Sequence, residues 1–328
     1  MKIGLVYNLR KTYLKKIDDP IDADAEWDSE KTIYHLTHAI ESLGHTVIDI
    51  GSPENVIHKF NEFTNVDLVF NIAEGRKGRC RESQVPAMCE LFNIPYTFSD
   101  PLTMAIALDK ILCKQIIQKA GIPTAPFWKI STAHDMTLIP ENAFPLFVKP
   151  ALEGTAKGIT SDSMVRDRLA FEKQVTYLIT TYKEPVLVEQ FLSGKEFTIA
   201  VIGNPNPYIL GMMEIIINDP SQNNIYTFDA KENWKSKVTY TFFNDRENVL
   251  WKQLSRIALE AYTVLECRDV ARVDVRCDER QNPYFMEINP LPGLTPEHSD
   301  FPMIAGMVGR SYESLINEII EQAWQRYH

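Results

Sequence analysis

Apolar and polar residues alternate most clearly in two neighbouring runs near the carboxyl end of the chain. In residues 271–276, small and apolar side chains fall on one face and charged ones on the other, which is the period of two of a half-buried strand. Residues 284–289 alternate again, with Met286 and Ile288 on the apolar side, and residues 278–283 between the runs have the composition of a turn. The pattern predicts a β-hairpin with one polar face. That face carries Arg272, Asp274, Glu287 and Asn289.

The polar face of this hairpin combines two carboxylates, an amide and a guanidinium. Oxygen donors of this kind suit Mg²⁺, which takes one or two carboxylates together with substrate phosphates. A solvated strand face without chemistry is the alternative. The hairpin runs directly into residues 290–293 (Pro-Leu-Pro-Gly), a rigid turn that can present backbone N–H groups, and this favours a functional face. The predicted metal ligands are Asp274, Glu287 and Asn289.

The amino-terminal part of the chain has the order strand, helix, strand. An apolar strand at residues 2–7 leads through a polar, acidic loop to a helix at residues 29–43, with Ser29 as its cap and Gly44 as its stop. Two further strands follow, at residues 45–50 and 66–72. The third strand is mostly apolar, as in a parallel sheet, so the pattern predicts a doubly wound parallel α/β domain.

The rest of the chain is predicted to be a mixture of α/β and α+β structure. A helix begins at residues 99–101 and continues through Lys110 to Ala120, and a β-rich section covers residues 127–203. Residues 218–247 are polar and poor in helical periodicity, which is typical of a long loop acting as a lid. A final helix spans residues 311–326. The predicted domains are residues 1–99, 100–206 and 207–328.

Composition bounds the class of protein. A chain of 328 residues with 45% apolar and 24% charged residues suits a globular enzyme of two or three domains. The net charge of −10 argues against non-specific nucleic-acid binding. Neither a signal peptide nor a membrane-spanning run is visible, so we expect a cytoplasmic protein without a membrane partner. The five cysteines lack C-x-x-C spacing, which predicts reduced thiols and no zinc site.

A glycine-bearing loop follows the apolar run that ends at Lys149. Gly154 and Gly158 would let the backbone approach a phosphate chain, and Lys149 can meet phosphate as a point charge. The spacing is not that of a P-loop. Two glycines four apart are also common in ordinary hairpins, so phosphate binding and a plain hairpin both remain open on this pattern alone.

Several of these motifs together resemble those of the D-alanine–D-alanine ligases, members of the ATP-grasp superfamily. The resemblance rests on Arg272-Val-Asp274, on Met286-Glu-Ile-Asn289-Pro and on Pro292-Gly293, and extends over residues 2–324. The glycine-bearing loop and residues 188–196 also match the family. The resemblance implies an ATP-grasp fold in three sections, with ATP bound between the second and the third.

The resemblance also implies roles for individual residues in nucleotide binding. Glu189 would accept from the adenine amino group and Glu196 would hold the ribose, although acids at such strand ends are otherwise usually solvated. Lys110, by itself an ordinary exposed residue, would reach the phosphates with Lys149, and Lys231 on the lid would contact the γ-phosphate. The implied nucleotide-binding residues are Lys110, Lys149, Gly154, Ala156, Glu189, Phe191, Leu192, Glu196 and Lys231.

The amino-acid-binding positions match the family less well. Glu74 stands where the family often has His, Glu232 where it usually has Tyr, and Thr155 where Ser is common. The family's amino-terminal Glu, which grips the amine of the first substrate, has loose counterparts in Glu26 and Asp28. A basic stretch at residues 76–81 could bind a carboxylate or balance acidic surface. The candidate substrate contacts are Glu26, Glu74, Arg79, Arg81, Glu232 and Ser299.

The activity that the resemblance implies is ATP-dependent carboxylate–amine ligation of two amino-acid-like substrates through an acyl phosphate. The implied cofactors are ATP and Mg²⁺, for which Mn²⁺ can substitute, and relatives are often homodimers. The departures at Glu74 and Glu232 favour a relative with altered substrates over a true D-alanine–D-alanine ligase. A silent nucleotide-binding scaffold and a kinase that stops at the acyl phosphate are the alternatives. The implied catalytic residues are Arg272, Gly293, Lys231 and Thr155.

Overall fold

The computed structural model describes residues 1–219 and 225–328 and begins with a three-stranded parallel sheet. Its order is β2-β1-β3, so the first strand lies in the centre, with Ile3 beside both Val47 and Leu68. Its strands are β1 (Lys2–Tyr7), β2 (Thr46–Gly51) and β3 (Leu68–Ile72).

Helices cover both faces of this parallel sheet. Leu36 and Ile40 pack on one face, whereas Phe63 and Val85 belong to the core on the other. The first helix starts where the sequence predicts, because the Ser29 hydroxyl accepts from the Thr32 N–H. The helices are α1 (Glu30–Ser42), α2 (Phe60–Thr64) and α3 (Gln84–Leu91). The predicted doubly wound α/β domain is therefore confirmed.

The helix predicted from Asp100 to Ala120 is two helices, and the single-helix prediction is wrong. The backbone turns at Asp109, whose ψ is 89°, and the Asp109 carboxylate then accepts from the N–H groups of Ile111 and Leu112. Asp109 thus caps a new helix, and Lys110 is that helix's first residue. The two helices are α4 (Pro101–Leu108) and α5 (Lys110–Lys119).

A four-stranded antiparallel sheet of order β4-β7-β5-β6 follows. Its strands are β4 (Phe127–Ile130), β5 (Leu146–Pro150), β6 (Met164–Val165) and β7 (Val186–Gln190). Two helices, α6 (Ala133–Met136) and α7 (Arg168–Tyr182), lie within the section predicted to be only β-rich. Helix α7 is capped by Asp167 and packs Phe171, Val175 and Leu178 against this sheet. That spacing is helical, and the prediction missed it.

The largest sheet has five antiparallel strands in the order β10-β9-β8-β11-β12. Its strands are β8 (Glu196–Ile202), β9 (Tyr208–Ile217), β10 (Val238–Phe242), β11 (Val270–Cys277) and β12 (Pro283–Asn289). Strand β8 lies in the predicted segment 100–206 but pairs here, between β9 and β11. The domain boundaries themselves stay predictions.

Strands β11 and β12 form the predicted hairpin. Arg272 lies opposite Asn289 and Asp274 opposite Glu287, which places the four polar side chains on one face as the alternation predicts. The register shifts between Asp274 and Val275. Because of this bulge, Phe285 is fully buried in the core and Met286 lines two cavities beside the hairpin. The prediction that Met286 faces the core is therefore wrong.

The section predicted to be one long loop, residues 218–247, also contains helices and a strand. Part of it, residues 220–224, lies outside the described residues, but the rest forms α8 (Phe228–Glu232), α9 (Trp234–Lys237) and strand β10. The remaining helices are α10 (Val249–Val264), α11 (Asp300–Met307) and α12 (Tyr312–Gln325). In the parts of the chain that the structure describes, no helix is both long and apolar enough to cross a membrane.

Candidate active site

The polar face of the β11–β12 hairpin is an ion-pair cluster. Arg272 Nη2 lies 2.8 Å from the Asp274 carboxylate and 3.9 Å from Glu287 Oε1. Two lysines approach the same Glu287 carboxylate from other elements, Lys110 Nζ at 3.7 Å from α5 and Lys149 Nζ at 3.8 Å from β5. Two sheets and one helix therefore meet at Glu287.

The electrostatics of this cluster keep Glu287 ionised. Burial by itself would raise the pKa of Glu287, but Lys110, Lys149, Arg272 and Lys231 hold it at about 2. The pKa of Asp274 is raised, because burial outweighs its pairing with Arg272 and because the Glu287 charge lies close by. A divalent cation held by Asp274 and Glu287 would offset both the cost of burying these carboxylates and their mutual repulsion.

The donor set fits Mg²⁺ better than a protein-only metal cage. Within residues 1–219 and 225–328, no group of three or more His, Cys, Asp or Glu side chains is placed to hold a metal. Coordination here would use the two cross-strand carboxylates, the Asn289 amide oxygen and oxygens of a phosphate ligand, which is the usual manner of Mg²⁺ binding. The Asn289 Oδ1 accepts from the Leu291 N–H at 3.3 Å, which orients the amide.

The glycine-bearing loop after β5 has the backbone of an anion site. Thr155 and Ala156 both have positive φ, 51° and 57°, which is uncommon for residues with a Cβ. Such a backbone turns successive N–H groups toward one side. A Cβ on Gly158 would lie 2.6 Å from the ring of Pro150, so only glycine fits there.

A cavity lies between this loop, the hairpin and α8. Lys149, Lys231, Arg272 and Glu287 face it together with apolar walls and the Tyr226 ring. Burial and the neighbouring Arg272 lower the pKa of Lys231. The free volume is about 80 Å³, well below the ~300–1,000 Å³ of ordinary ligand pockets. We call it the nucleotide cavity below. Its apolar walls are Phe147, Ile159, Ile215, Ile225 and Met286.

The two acids assigned to the nucleoside are both paired with cations. Glu189 lies 2.6 Å from Lys114 and 3.2 Å from Lys149, and these lysines lower its pKa although burial would raise it. Glu196 lies 2.7 Å from Arg276. A small, mostly apolar cleft adjoins Glu189, as a purine ring would require. Gln190 and Arg276 also line the cleft, and its apolar walls are Ala125, Phe147, Phe191, Leu192, Phe285 and Met286.

A second, wider cavity of about 440 Å³ lies on the other side of the hairpin cluster. It is bounded by the acidic loop of domain one, by α8 and by the turn after β12. The turn contributes Gly293 and Ser299, and a Cβ on Gly293 would lie 2.8 Å from the Ser299 hydroxyl. We call this space the substrate cavity. The two cavities share four of their lining residues, which are Thr155, Lys231, Arg272 and Asp300.

Glu26, on the domain-one side, is bound to the glycine-bearing loop. Its Oε1 accepts from the Gly154 N–H at 2.6 Å and lies 2.7 Å from Arg81, and its Oε2 lies 3.4 Å from Lys157. Burial would raise the pKa of Glu26, but Arg81, Lys157 and the Gly154 N–H lower it to about 2. The loop and domain one are therefore joined by a buried ion-pair network.

Most, but not all, of the predicted site residues come together. Glu26, Glu74, Glu232 and Ser299 line the substrate cavity. Arg81 is buried behind Glu26, whereas Arg79 pairs with Asp109 outside both cavities. Their assigned roles stay predictions.

Sequence reasoning missed four further charged or polar groups. Asp300, beside Arg272 at 3.6 Å, follows Ser299 at the start of α11, where an acid is also explained by helix capping. Lys157 stands within the glycine-bearing loop. Nothing in the spacing of Lys114 or Tyr226 indicates that they reach the site. The missed residues are Lys114, Lys157, Tyr226 and Asp300.

Strands of two antiparallel sheets that grip a cavity between a glycine-bearing loop and an acidic hairpin define the ATP-grasp class. Similarity to known proteins agrees. Residues 116–321 match the family described as the D-ala D-ala ligase C-terminus. A D-alanine–D-alanine ligase of Bordetella avium is 32% identical over 80% of each chain. An uncharacterized Sinorhizobium fredii protein, y4sG, is 30% identical over all of this chain and 98% of its own.

Solved structures agree at the level of the fold. The D-alanine–D-alanine ligase of Bacillus anthracis, in a complex with ATP, has a TM-score of 0.76 at 21% identity, covering 100% of this chain and 98% of its own. The ligase of Coxiella burnetii has a TM-score of 0.72 at 20% identity, covering 100% and 94%. The chain belongs to the D-alanine–D-alanine ligase family, whose members are ATP-binding ligases.

Proposed function

We propose that the protein is an ATP-dependent carboxylate–amine ligase that joins two amino acids or amino-acid-like substrates. One observation carries the proposal. The nucleotide cavity and the substrate cavity adjoin at Lys231, Arg272 and Thr155, so a γ-phosphate on one side and a carboxylate on the other would meet the same cations. Phosphoryl transfer needs such positioning and charge neutralisation more than covalent help.

The nucleotide side would bind and orient ATP. Lys110 and Lys149 would neutralise its phosphates, and the N–H groups of Thr155 and Ala156 would bind their oxygens. Asp274, Glu287 and Asn289 would hold Mg²⁺, or Mn²⁺ in its place, which supplies charge neutralisation at the phosphate oxygens. Because the nucleotide cavity holds only about 80 Å³, we expect the glycine-bearing loop or α8 to move outward when ATP enters.

The substrate side would carry out ligation through an acyl phosphate. An oxygen of the donor carboxylate attacks the γ-phosphorus, and ADP leaves. The acceptor amine then attacks the acyl carbon, and phosphate leaves with the oxygen that came from the carboxylate. Arg272 and the Gly293 N–H would stabilise the oxyanion; among the described residues, that N–H has no protein acceptor.

The test is phosphate release from ATP with a panel of single amino acids and of pairs, in both stereochemical forms. The proposal requires release that depends on two amino substrates and is accompanied by a new C–N bond in the product, identified by mass spectrometry. ATP binding without release under every condition would support a silent scaffold. Release with one carboxylate and no amine would support the kinase.

Two features of the site bear on these alternatives. A silent scaffold has no need of metal ligands, yet both carboxylates and the amide are present on the hairpin face. A kinase that stops at the acyl phosphate has no need of an acceptor amine, yet the substrate cavity is the wider of the two. Glu74 and Glu232, which line this cavity, favour substrates other than two D-alanines.

We also propose that the protein is a homodimer, as the resemblance implies, and that it is cytoplasmic, as its sequence pattern indicates. Phe60 and Phe92 form an edge-to-face pair at the surface of domain one, and Leu91 is 75% exposed beside them. Exposed apolar groups that cluster in this way often mark a protein interface. Sedimentation equilibrium of the wild type and of Phe92→Glu tests the proposal, because a dimer through this surface should dissociate in the variant.

A further inference from the structure

The domain-one wall of the substrate cavity differs from the rest of the site in its charge balance. Apart from Glu297, which is exposed, the other acids that line the two cavities have a cation at ion-pair distance. Asp274 and Asp300 face Arg272, and Glu232 lies 3.7 Å from Arg10. Asp28 and Glu74 line the same substrate cavity, and neither has a Lys, Arg or His within 4.0 Å among the described residues.

Glu26 is not available to a ligand in the way these two acids are. Both of its oxygens are engaged, one by Arg81 and the Gly154 N–H and the other by Lys157. An ammonium that bound Glu26 would have to compete with two protein cations already in place. The sequence left Glu26 and Asp28 as alternatives for binding a substrate amine, and these contacts favour Asp28.

The backbone holds Asp28 and Glu74 in fixed positions beside each other. The Asn8 carbonyl accepts from the Asp28 N–H at 2.9 Å, and the Asn8 side-chain oxygen accepts from the N–H of Gly75 at 2.8 Å. The Trp27 indole donates to the Gly75 carbonyl at 3.1 Å. A single residue just after β1 thus anchors both acid-bearing segments and fixes the backbone of Asp28 relative to that of the Glu74–Gly75 segment.

The cations that line the cavity are paired with other acids, exposed, or placed at the junction with the nucleotide cavity. Arg10 pairs with Glu232, and Arg272 pairs with Asp274 and Asp300. Lys31 and Lys235 are exposed, and Lys231 lines both cavities. Burial raises the pKa of Asp28 to about 7 and that of Glu74 well above its ordinary range, with Glu82 adding to the effect on Glu74. A cation supplied by a ligand would therefore stabilise the ionised form of both carboxyl groups.

We propose, building on the ligase function, that the amino acid held against domain one carries a cationic side chain as well as its ammonium group. Asp28 and Glu74 bind these two positive charges. The substrate class is then the basic, diamino type of amino acid. A neutral amino acid with the same carbon chain would leave one of the two buried carboxyl groups without a cation and would therefore bind less tightly.

The experiment compares lysine with norleucine, which has the same carbon chain without the terminal ammonium group, together with ornithine and alanine. Each is supplied in D and L forms, alone and with alanine as the second amino acid, and phosphate release from ATP is measured. We expect kcat/KM for lysine or ornithine to exceed that for norleucine by at least about tenfold, the effect of one charged hydrogen bond. Norleucine or alanine driving release as well as lysine would overturn the inference and leave the ligase function standing. No phosphate release with any amino acid would contradict both the basic-substrate inference and the ligase function.

Variants show whether these two acids are responsible. Asp28→Asn and Glu74→Gln should each raise the KM for the basic amino acid and reduce its advantage over norleucine about tenfold, with the KM for ATP unchanged. Asp18→Asn, an exposed acid on the same loop, is the matched control and should change neither. If a variant retains the wild-type preference, or if the KM for ATP rises with that for the amino acid, the assignment is wrong.

Discussion

The two sides of the active site balance their charges in opposite ways. On the nucleotide side, acids sit on strands beside cations of the protein, as Glu189 does beside Lys114 and Glu196 beside Arg276. On the domain-one side Glu26 is paired as well, but Asp28 and Glu74 sit in loops with no Lys, Arg or His within 4.0 Å among the described residues. Where the protein neutralises its own charges, the site is built for a ligand common to a whole family. Where it leaves them open, the ligand has to bring the missing charge.

The largest effect should come from removing the metal carboxylates. Asp274→Asn and Glu287→Gln should each lower ATP turnover by more than about 10³-fold, because each removes a ligand of Mg²⁺ and unbalances the cations around it. Glu279→Gln, exposed in the turn of the same hairpin, is the control. Circular dichroism should show an intact fold. Near-normal turnover in both variants would remove the metal assignment.

The next largest effect is expected from a substitution of Arg272, because this residue lines both cavities. Arg272→Lys keeps a positive charge but loses the fork that contacts Asp274 and Asp300. We expect kcat to fall about 10²–10³-fold, as when one oxyanion donor is lost, with a smaller change in the KM for ATP. A variant affected only in the KM for ATP would confine Arg272 to the nucleotide side.

Glu26 tests the connection between the two sides. Glu26→Gln removes the carboxylate that holds the Gly154 N–H and leaves Arg81 and Lys157 without their shared partner. Loss of one charge-assisted hydrogen bond should raise the KM for ATP about tenfold, because the glycine-bearing loop is less well positioned. The preference between lysine and norleucine should survive. Losing that preference would mean that Glu26, rather than Asp28, holds the substrate.

The smallest effect is on stability. Burial raises the pKa of Asp28 to about 7, so the folded state holds a proton there that the unfolded state releases near pH 4. Stability contributed by that proton is therefore lost as the pH rises from about 4 to 7. Asp28→Asn should raise Tm at pH 8 by on the order of 1–3 °C and leave it unchanged at pH 4. A rise of equal size at both values would point to packing instead.

The sequence predicted the nucleotide side better than the domain-one side, for physical reasons. The hairpin could be predicted because alternation on two adjacent strands fixes which side chains share a face. Met286 was misplaced because a bulge shifts the strand register by one residue, and no residue type in the run predicts a bulge there. Helix α7 was detectable from Phe171, Val175 and Leu178, but its β-branched composition favoured strand.

The domain-one wall could not be predicted because it depends on contacts between distant segments. Asp28 and Glu74 are brought together by Asn8, and Glu26 is occupied by Arg81 and the glycine-bearing loop more than a hundred residues away. No local pattern reports such pairings. The sequence does mark the substrate cavity, because Glu74 and Glu232, which line it, are positions that depart from the family.

The most direct test of the ligation chemistry is the fate of one oxygen atom. The donor amino acid is labelled with oxygen-18 in its carboxylate, and the phosphate released from ATP is analysed by mass spectrometry. Ligation through an acyl phosphate predicts that each phosphate carries one labelled oxygen, because the carboxylate attacks phosphorus and the acyl–oxygen bond later breaks. Phosphate released without label would show that water is the attacking group, and would contradict ligation through an acyl phosphate at the Arg272–Lys231 junction.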